Sequence, residues 1–204
     1  MGVGIYGRTI RIAMRKIVLA SASPRRKELL SLTGLSYSID VADVNEEMDS
    51  ALPPRVLARK LSLQKARAVA DRHRDALIIA ADTFIAFRGH ILGKPRDERD
   101  ARRMLGMLSG RSHSVITGFT VMDTAARRTV SRAVETKVWF RRLTRAEIAA
   151  YVKTGEPLDK AGAYAIQGLG SVIVKKIDGD YANVVGLPVA ELAKCLRGFG
   201  VHIF

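Results

Sequence analysis

The apolar run at residues 76–87, ALIIAADTFIAF, restricts the fold of this chain more than any other segment. Only Asp82 and Thr83 interrupt it, so the run predicts a strand buried inside a sheet. A carboxylate in such a strand is costly to bury unless it is paired or binds a metal ion. Asp82 is therefore a candidate functional acid.

Residues 17–34 have the pattern of a short buried strand that leads into a helix. The strand is predicted at Ile17–Leu19, where the side chains are apolar. Pro24 suits the first helical position, because its fixed φ is already helical and it has no N–H to leave unpaired. Ser23 is then the expected N-cap, and Gly34 the expected stop at the other end.

The start of this helix has two interpretations. Its free N–H groups attract anions, and Arg25, Arg26 and Lys27 add positive charge to the same turn. A strand that leads into a cation-rich helix start is suited to binding phosphate. The alternative is a well-capped helix with a solvated basic first turn, although basic residues oppose the helix dipole at this end.

A second helix is predicted to start at the proline pair 53–54. Leu57, Leu61 and Ala68 recur at helical spacing, and Lys65 falls within the same apolar stripe. A lysine in this position usually extends its ammonium group to water. The other interpretation is that Lys65 reaches a phosphate in a cleft.

The stretch between Glu28 and Arg55 contains no Lys or Arg and is acidic, in an otherwise basic chain. A strand is predicted at 37–44, and Glu46 follows it with further carboxylates beside it. The stretch is either a solvated acidic loop or a source of carboxylates for a divalent metal or a substrate.

The rest of the chain alternates further strands and helices, which predicts an α/β fold with several antiparallel pairings. A return strand over 91–95 carries Lys94 near its end. The glycine-spaced segment 159–170 indicates close approach of its backbone to a ligand or to another segment, and an apolar strand is expected at 172–174. The sequence contains neither the G-x-G-x-x-G nor the G-x-x-x-x-G-K-[ST] phosphate-binding motif.

The length of 204 residues is enough for one domain, or two small lobes, with a substantial core. We expect 14–204 to form a single domain and 1–13 to be an extension outside it, because Met14 followed by Arg-Lys could be the true start. No apolar run approaches the roughly 20 residues that a membrane span needs, so we expect no membrane association. The single Cys195 leaves no possible intrachain disulfide and indicates a reducing compartment.

The net charge of +14 raises the question of nucleic-acid binding. The basic residues are scattered as pairs and are not interleaved with aromatic residues, which argues against nucleic acid as the main partner. Steering of a small polyanion, such as a nucleoside triphosphate, explains the charge equally well.

The individual candidates share one chemistry. Ser21, Arg25 and Arg26 can hold phosphate, and Lys65 and Lys94 can neutralise its charge. The carboxylates of Asp82 and Glu46 can bind a metal ion or activate water. Cleavage of a phosphoanhydride needs all of these parts, so the set favours a nucleotide hydrolase.

At these residues the sequence resembles the Maf family of nucleoside triphosphate pyrophosphatases. Seven motifs occur in the family's order and span nearly the whole chain, and together they are far more specific than any one alone. The motifs are ASASPRR at 20–26, QKA at 64–66, ADT at 81–83, GKP at 93–95, LSGRSH at 108–113, DKAGAY at 159–164 and NVVGLP at 183–188.

The resemblance implies an elongated, twisted mixed sheet flanked by helices, with two lobes around a central cleft, as in inosine triphosphatase-like proteins. It also implies a cytoplasmic homodimer that uses a divalent cation, Mg²⁺ or Mn²⁺, to convert a nucleoside triphosphate to the monophosphate and pyrophosphate. Asp82 would be the proton acceptor that activates water, and Glu46 would help Asp82 to hold the metal. The residues that would bind the triphosphate are Ser21, Arg26, Lys65 and Lys94.

The positions that set specificity in the family correspond to Arg25, Thr83 and Gln167. All three match the branch that resembles dTTP/UTP pyrophosphatases, and the donors and acceptors of Arg and Gln can complement the edge of a pyrimidine. The alternatives are the same reaction on 7-methyl-GTP, or a nucleotide-sensing regulator of septum formation without catalytic activity.

Overall fold

The computed structural model describes residues 15–41, 44 and 51–204. The predicted extension at 1–13 and the candidate metal ligand Glu46 lie outside the described residues. The expected α/β class is confirmed: within the described ranges, seven strands form one mixed sheet that helices flank. No helix of the described part is long and apolar enough to cross a membrane.

The helices and strands alternate along the chain. The strands are β1 (Ile17–Leu19), β2 (Ser38–Ile39), β3 (Leu77–Phe87), β4 (His90–Leu92), β5 (Ser112–Asp123), β6 (Arg128–Phe140) and β7 (Val174–Asp178). The helices are α1 (Pro24–Ser31), α2 (Pro54–Ala70), α3 (Glu98–Leu108), α4 (Arg145–Lys153), α5 (Tyr181–Val185) and α6 (Val189–Arg197). Three 3₁₀ turns lie between α4 and β7, at Glu156–Asp159, Ala161–Ala163 and Gly168–Val172.

The order of the strands in the sheet is β2-β1-β3-β5-β6-β7, and β4 adds to the edge of β3 beside β1. β1 is parallel to β2 and to β3, whereas the remaining pairs are antiparallel. β3 is the predicted buried strand. Its apolar run is continuous because helices cover both faces of the sheet at this strand.

One edge of β3 has a gap, and this gap places the site. β1 pairs with residues 77–79 of β3 and β4 pairs with residues 85–87, so residues 80–84 have no strand beside them on this edge among the described elements. β1 runs parallel to β3 and β4 runs antiparallel, so the carboxyl ends of both strands point into the gap. The residues that follow β1 and β4 therefore surround Asp82.

The first helix follows its prediction closely. α1 starts at Pro24, and the Ser23 side chain accepts a hydrogen bond from the Arg26 backbone N–H. The helix ends at Ser31, and Gly34 lies shortly after it with a φ of 71°, a conformation that glycine adopts without strain.

Four element predictions need correction. The return strand expected over 91–95 is β4, which ends at Leu92, so Lys94 lies in the loop after it. β2 spans only two residues rather than 37–44, of which 42 and 43 lie outside the described residues. The strand expected at 172–174 starts only at Val174, because a 3₁₀ turn continues through Val172. Ala68 is exposed, whereas Ala66 and Val69 are buried, because the face of α2 that packs on the sheet is centred one residue further along than predicted. Lys65 remains on the packed face, as its place in the apolar stripe predicted.

Candidate active site

A cleft of about 740 Å³ opens over the gap in β3. Its wall contains Asp82 and Thr83 from the strand itself, residues 20–26 after β1, and Lys94 after β4. The segments 159–161 and 164–167 complete the wall, together with residues 184–186 at the end of α5. Six of the seven sequence motifs therefore contribute residues to one cavity.

Asp82 is the buried acid of this cleft. Its residue is only 4% exposed, and its carboxylate accepts a hydrogen bond from the Lys65 ammonium group. The Lys65 side chain is also largely buried and lines the cleft. Pairing is thus one of the two conditions expected for a carboxylate buried in β3, and the structure shows it; Lys65 turns towards the cleft instead of extending to bulk water.

Gly118 makes this pairing possible. It lies directly opposite Asp82 in the β3–β5 ladder, so the two residues share one face of the sheet. A Cβ atom at Gly118 would lie 2.0 Å from the Ala58 carbonyl oxygen of α2. The missing side chain thus lets the α2 backbone approach the sheet, and α2 carries Lys65. Our sequence analysis did not identify Gly118, although a glycine within a predicted strand is a recognised sign of such close approach.

Thr83 follows Asp82 in β3 and points to the opposite face of the sheet. Its hydroxyl accepts a hydrogen bond from an Arg26 terminal nitrogen at 3.2 Å and lies 2.9 Å from the Thr117 hydroxyl. Arg26 also donates to the Gly186 carbonyl oxygen at 2.9 Å and to the Ser21 Oγ at 3.3 Å. The guanidinium is therefore fixed in one orientation beside the cleft.

Ser21 lies where β1 ends and is 6% exposed. Its Oγ accepts hydrogen bonds from the Ser23 backbone N–H at 3.2 Å and from Arg26. In these contacts the oxygen acts only as an acceptor, so its hydroxyl hydrogen can be donated to a ligand.

Helix α5 and Gly186 after it hold Arg26 in place, and our sequence reasoning gave Asn183 of this helix no role. Asn183 is fully buried, and its side-chain amide donates hydrogen bonds to the Val115 carbonyl oxygen at 3.1 Å and to the Thr136 hydroxyl at 3.0 Å. Its backbone carbonyl oxygen accepts a hydrogen bond from the Thr117 hydroxyl at 2.9 Å. These contacts attach α5 to β5 and β6, so that the Gly186 carbonyl oxygen meets Arg26. The place of Asn183 in the NVVGLP motif was the signal in the sequence that could have identified it.

Arg25 lies apart from Arg26, because successive residues on a helix point in directions about 100° apart. Arg25 also lines the cleft, and its guanidinium is 3.5 Å from the Asp159 carboxylate. Desolvation and ion pairing act in opposite directions on that carboxylate, and the balance lowers the pKa of Asp159. Gln167 also lines the cleft. Of the three predicted specificity residues, Thr83 contacts Arg26 and Arg25 contacts Asp159.

Four predicted cations, which come from three helices or loops of the chain, line the cleft around Asp82. They are Arg25, Arg26, Lys65 and Lys94. Their convergence produces a positive field in a concave site, which attracts a polyanion. The arrangement can hold a chain of phosphate groups beside a single buried carboxylate.

Among the described residues, no group of three or more His, Cys, Asp or Glu side chains is placed to hold a metal ion. Asp82 is the predicted metal ligand that the structure does describe. Mg²⁺ commonly binds through one or two carboxylates together with phosphate oxygens and water, so a single buried carboxylate in a cation-lined cleft is compatible with this donor set.

A family model described as "Maf-like protein" matches residues 16–199 of the chain. The chain belongs to the Maf family. This finding confirms the resemblance that the seven motifs indicated, and the matched residues include β1, the whole cleft and α6.

Curated relatives of this Maf-family chain are similar over nearly their full length. A protein of Methanosarcina barkeri named "dTTP/UTP pyrophosphatase" is 47% identical over 192 residues, which are 94% of this chain and 98% of the relative. A Moorella thermoacetica protein with the same name is 49% identical over 191 residues, with the same two coverages.

The fold is also found in a distant solved structure. The Ham1 protein of Staphylococcus aureus matches with a TM-score of 0.52 over 91% of this chain and 100% of that protein, at 14% identity. At this identity the likeness concerns the fold alone. It agrees with the expected mixed sheet flanked by helices.

Proposed function

We propose that this Maf-family chain hydrolyses dTTP and UTP to the monophosphate and pyrophosphate. The observation that carries the proposal is the cleft itself, which collects a buried carboxylate and four cations from three separate elements around one gap in β3. The names of relatives 47–49% identical over 94% of the chain support the same activity and the same substrates.

In the proposed reaction, Asp82 accepts a proton from a water molecule. The water oxygen bonds to one phosphorus of the anhydride between the α- and β-phosphates as the bridging oxygen leaves with the bonding electron pair. Arg26, Lys65 and Lys94 stabilise the charge that develops on the phosphate oxygens, because they are placed before the reaction begins. Ser21 donates its hydroxyl hydrogen to a phosphate oxygen.

We also propose a requirement for Mg²⁺ or Mn²⁺, with Asp82 and Glu46 as the protein ligands. A bound divalent ion would act as a Lewis acid and neutralise phosphate charge. The buried carboxylate beside the phosphate-binding cations supports this proposal, whereas Glu46 lies outside the described residues.

We propose that the nucleobase of the substrate lies beside Arg25 and Gln167 in the cleft. Arg25 can donate hydrogen bonds to a pyrimidine carbonyl oxygen, and the Gln167 amide can both donate to a carbonyl oxygen and accept from the imide N–H. Thr83 would act on specificity through Arg26, which it contacts directly.

The homodimer and the cytoplasmic location that the resemblance implies are also proposals. Both are independent of the cleft geometry. Light scattering coupled to size-exclusion chromatography tests the first, and fractionation of source cells tests the second.

A panel of nucleoside triphosphates with Mg²⁺ or Mn²⁺ tests the proposed activity through pyrophosphate release. We expect dTTP and UTP to be the preferred substrates, and Asp82→Asn to lose at least about a hundredfold in kcat, the lower range for loss of a general base. Preference for 7-methyl-GTP would replace the substrate assignment. Absence of pyrophosphate release from every triphosphate would favour a nucleotide-sensing regulator instead.

Salt dependence of DNA and RNA binding tests the remaining rival, a nucleic-acid-binding protein. Such a protein would bind with a steep dependence on the logarithm of the salt concentration. We expect no such binding at physiological salt. Among the described residues, the cations that converge on one site line a cleft.

A further inference from the structure

The loop 165–170 carries Gln167 into the cleft, and a half-buried carboxylate outside the cleft wall holds this loop. The Glu156 carboxylate accepts hydrogen bonds from the Leu169 backbone N–H at 3.0 Å and from the Gly170 backbone N–H at 2.9 Å. Glu156 begins the 3₁₀ turn after α4 and does not belong to the residues that line the cleft. Its contacts therefore hold the loop, although Glu156 itself does not line the cleft.

The hydroxyl of Tyr151 holds the other end of the same loop. It accepts a hydrogen bond from the Ala165 backbone N–H at 3.2 Å and donates one to the Glu156 carboxylate at 2.8 Å. Tyr151 is 8% exposed and packs in the core beside α3 and β5. The two side chains thus bind the backbone on both sides of Gln167.

Two glycines show how closely the loop fits around this pair of side chains. A Cβ atom at Gly168 would lie 2.6 Å from a Glu156 carboxylate oxygen. A Cβ atom at Gly170 would lie 2.5 Å from the Tyr151 hydroxyl and 2.3 Å from the Ala165 carbonyl oxygen. The glycine-spaced sequence, which indicated close approach to a ligand or to another segment, here marks approach to another segment.

We propose that Glu156, together with Tyr151, is a positioning residue for base selectivity, and that it acts by fixing the backbone that carries Gln167. This inference rests on the proposed function, in which Gln167 contacts the base. Neither side chain touches the phosphate-binding cations or Asp82 in the described contacts. Glu156 and Tyr151 therefore affect which nucleobase is accepted and take no part in the cleavage of the phosphoanhydride.

The chemical basis is the difference between thymine or uracil and cytosine. Thymine and uracil present a carbonyl oxygen and an imide N–H, whereas cytosine presents an amino group and an unprotonated ring nitrogen. A hydrogen-bonding site rejects the wrong pattern strongly only when its partners are held in place. Displacement by about 1 Å can reduce the rate with the correct substrate about a hundredfold.

The test compares Glu156→Gln with Glu147→Gln, a matched change on α4. Glu147 caps that helix through Thr144 and has no contact with the 165–170 loop among its described hydrogen bonds. Single-turnover reactions with the enzyme in excess make slow hydrolysis of dCTP measurable beside that of dTTP. The readout is kcat/KM for dTTP divided by kcat/KM for dCTP.

We expect Glu156→Gln to lower this ratio about tenfold, because kcat/KM for dTTP falls while kcat/KM for dCTP does not rise. Glu147→Gln should leave the ratio unchanged. Tyr151→Phe keeps the ring in the core and removes the hydroxyl, so it should lower the ratio in the same direction even if the Glu156 variant folds poorly. Equal losses of kcat/KM with dTTP and dCTP would overturn the inference. So would an unchanged ratio in both Glu156→Gln and Tyr151→Phe. A wild-type protein without dTTP hydrolysis would instead overturn the proposed function, and this inference with it.

Discussion

Gly118 and Asp82 lie directly opposite each other in neighbouring strands, and the missing side chain of one determines the ion pair of the other. Because Gly118 has no Cβ, the α2 backbone at Ala58 can lie against the sheet at this point. That approach brings Lys65 to the Asp82 carboxylate. The site therefore depends on a packing contact that involves no functional side chain.

The substitution Gly118→Ala tests this relationship. The added methyl group would meet the backbone of Ala58 rather than a flexible side chain, so α2 must move. We expect a loss of about 1–3 kcal/mol in the free energy of unfolding, typical of overpacking, and a decrease in turnover as Lys65 moves away from Asp82. Chemical denaturation and pyrophosphate release measure the two effects.

Gly106→Ala is the matched control for this substitution. Gly106 lies within α3, with no atom within 4 Å of the position that its Cβ would occupy. Alanine favours a helix by roughly 0.5–1 kcal/mol over glycine, so this variant should be more stable than the wild type. Equal stability of the two variants would show that Gly118 is not required for the approach of α2.

The second prediction concerns the ion pair itself. Lys65→Met leaves the buried Asp82 carboxylate without this ammonium group, so we expect a loss of about 1–3 kcal/mol in the free energy of unfolding. Adding Asp82→Asn removes the buried charge and should restore most of that loss, while the double variant remains inactive. A double-mutant cycle from denaturant unfolding measures the coupling. Strictly additive effects would contradict a direct interaction.

The strand that carries Asp82 could be predicted from the sequence, but the gap around it could not. The apolar run 76–87 identifies a buried strand because helices cover both of its faces. Which strands pair with each end of β3 depends on contacts distant along the chain, and local patterns do not encode them. The convergence of the residues after β1 and β4 on Asp82 is a property of this topology.

The residues around the site were predictable to different degrees. Lys65 was marked by its place in an apolar stripe, although the stripe alone did not say whether it faced water or a cleft. Glu156 gave no local signal, because a carboxylate after a helix is ordinary until the loop that it holds is known. Asn183 was visible only as part of a motif, since its buried hydrogen bonds reach β5 and β6 from α5, which is distant along the chain.

The third prediction separates the two neighbouring arginines. Arg26 is fixed by Ser21, Thr83 and the Gly186 carbonyl oxygen beside the phosphate-binding cations, whereas Arg25 faces Asp159. Arg26→Ala should therefore lower kcat/KM for every nucleoside triphosphate, by about a hundredfold. Arg25→Ala should mainly reduce the preference for dTTP over dCTP. Losses of equal size and equal selectivity in both variants would contradict this division.

His113 is a buried imidazole that the proposed reaction does not use. Its Nε2 lies 2.8 Å from the Tyr164 hydroxyl, and its ring packs edge-on against Phe140 and Tyr164. Burial lowers the pKa of His113 to about 4, because the charged imidazolium would lose its hydration. The folded protein thus holds this group neutral at pH values where the unfolded chain binds a proton.

The last prediction is the pH dependence that follows from this burial. Because the folded pKa of His113 lies below its ordinary value of about 6.5, the unfolded state binds more protons between those two values. The free energy of unfolding should therefore fall as the pH decreases from 7.5 to 5, by about 1–2 kcal/mol from this group. In His113→Gln, an amide that can still meet Tyr164, this part of the decrease should disappear. His90→Gln, which removes an exposed imidazole, controls for the loss of a histidine in general. Parallel pH profiles for the wild type and His113→Gln would show that His113 does not titrate on unfolding.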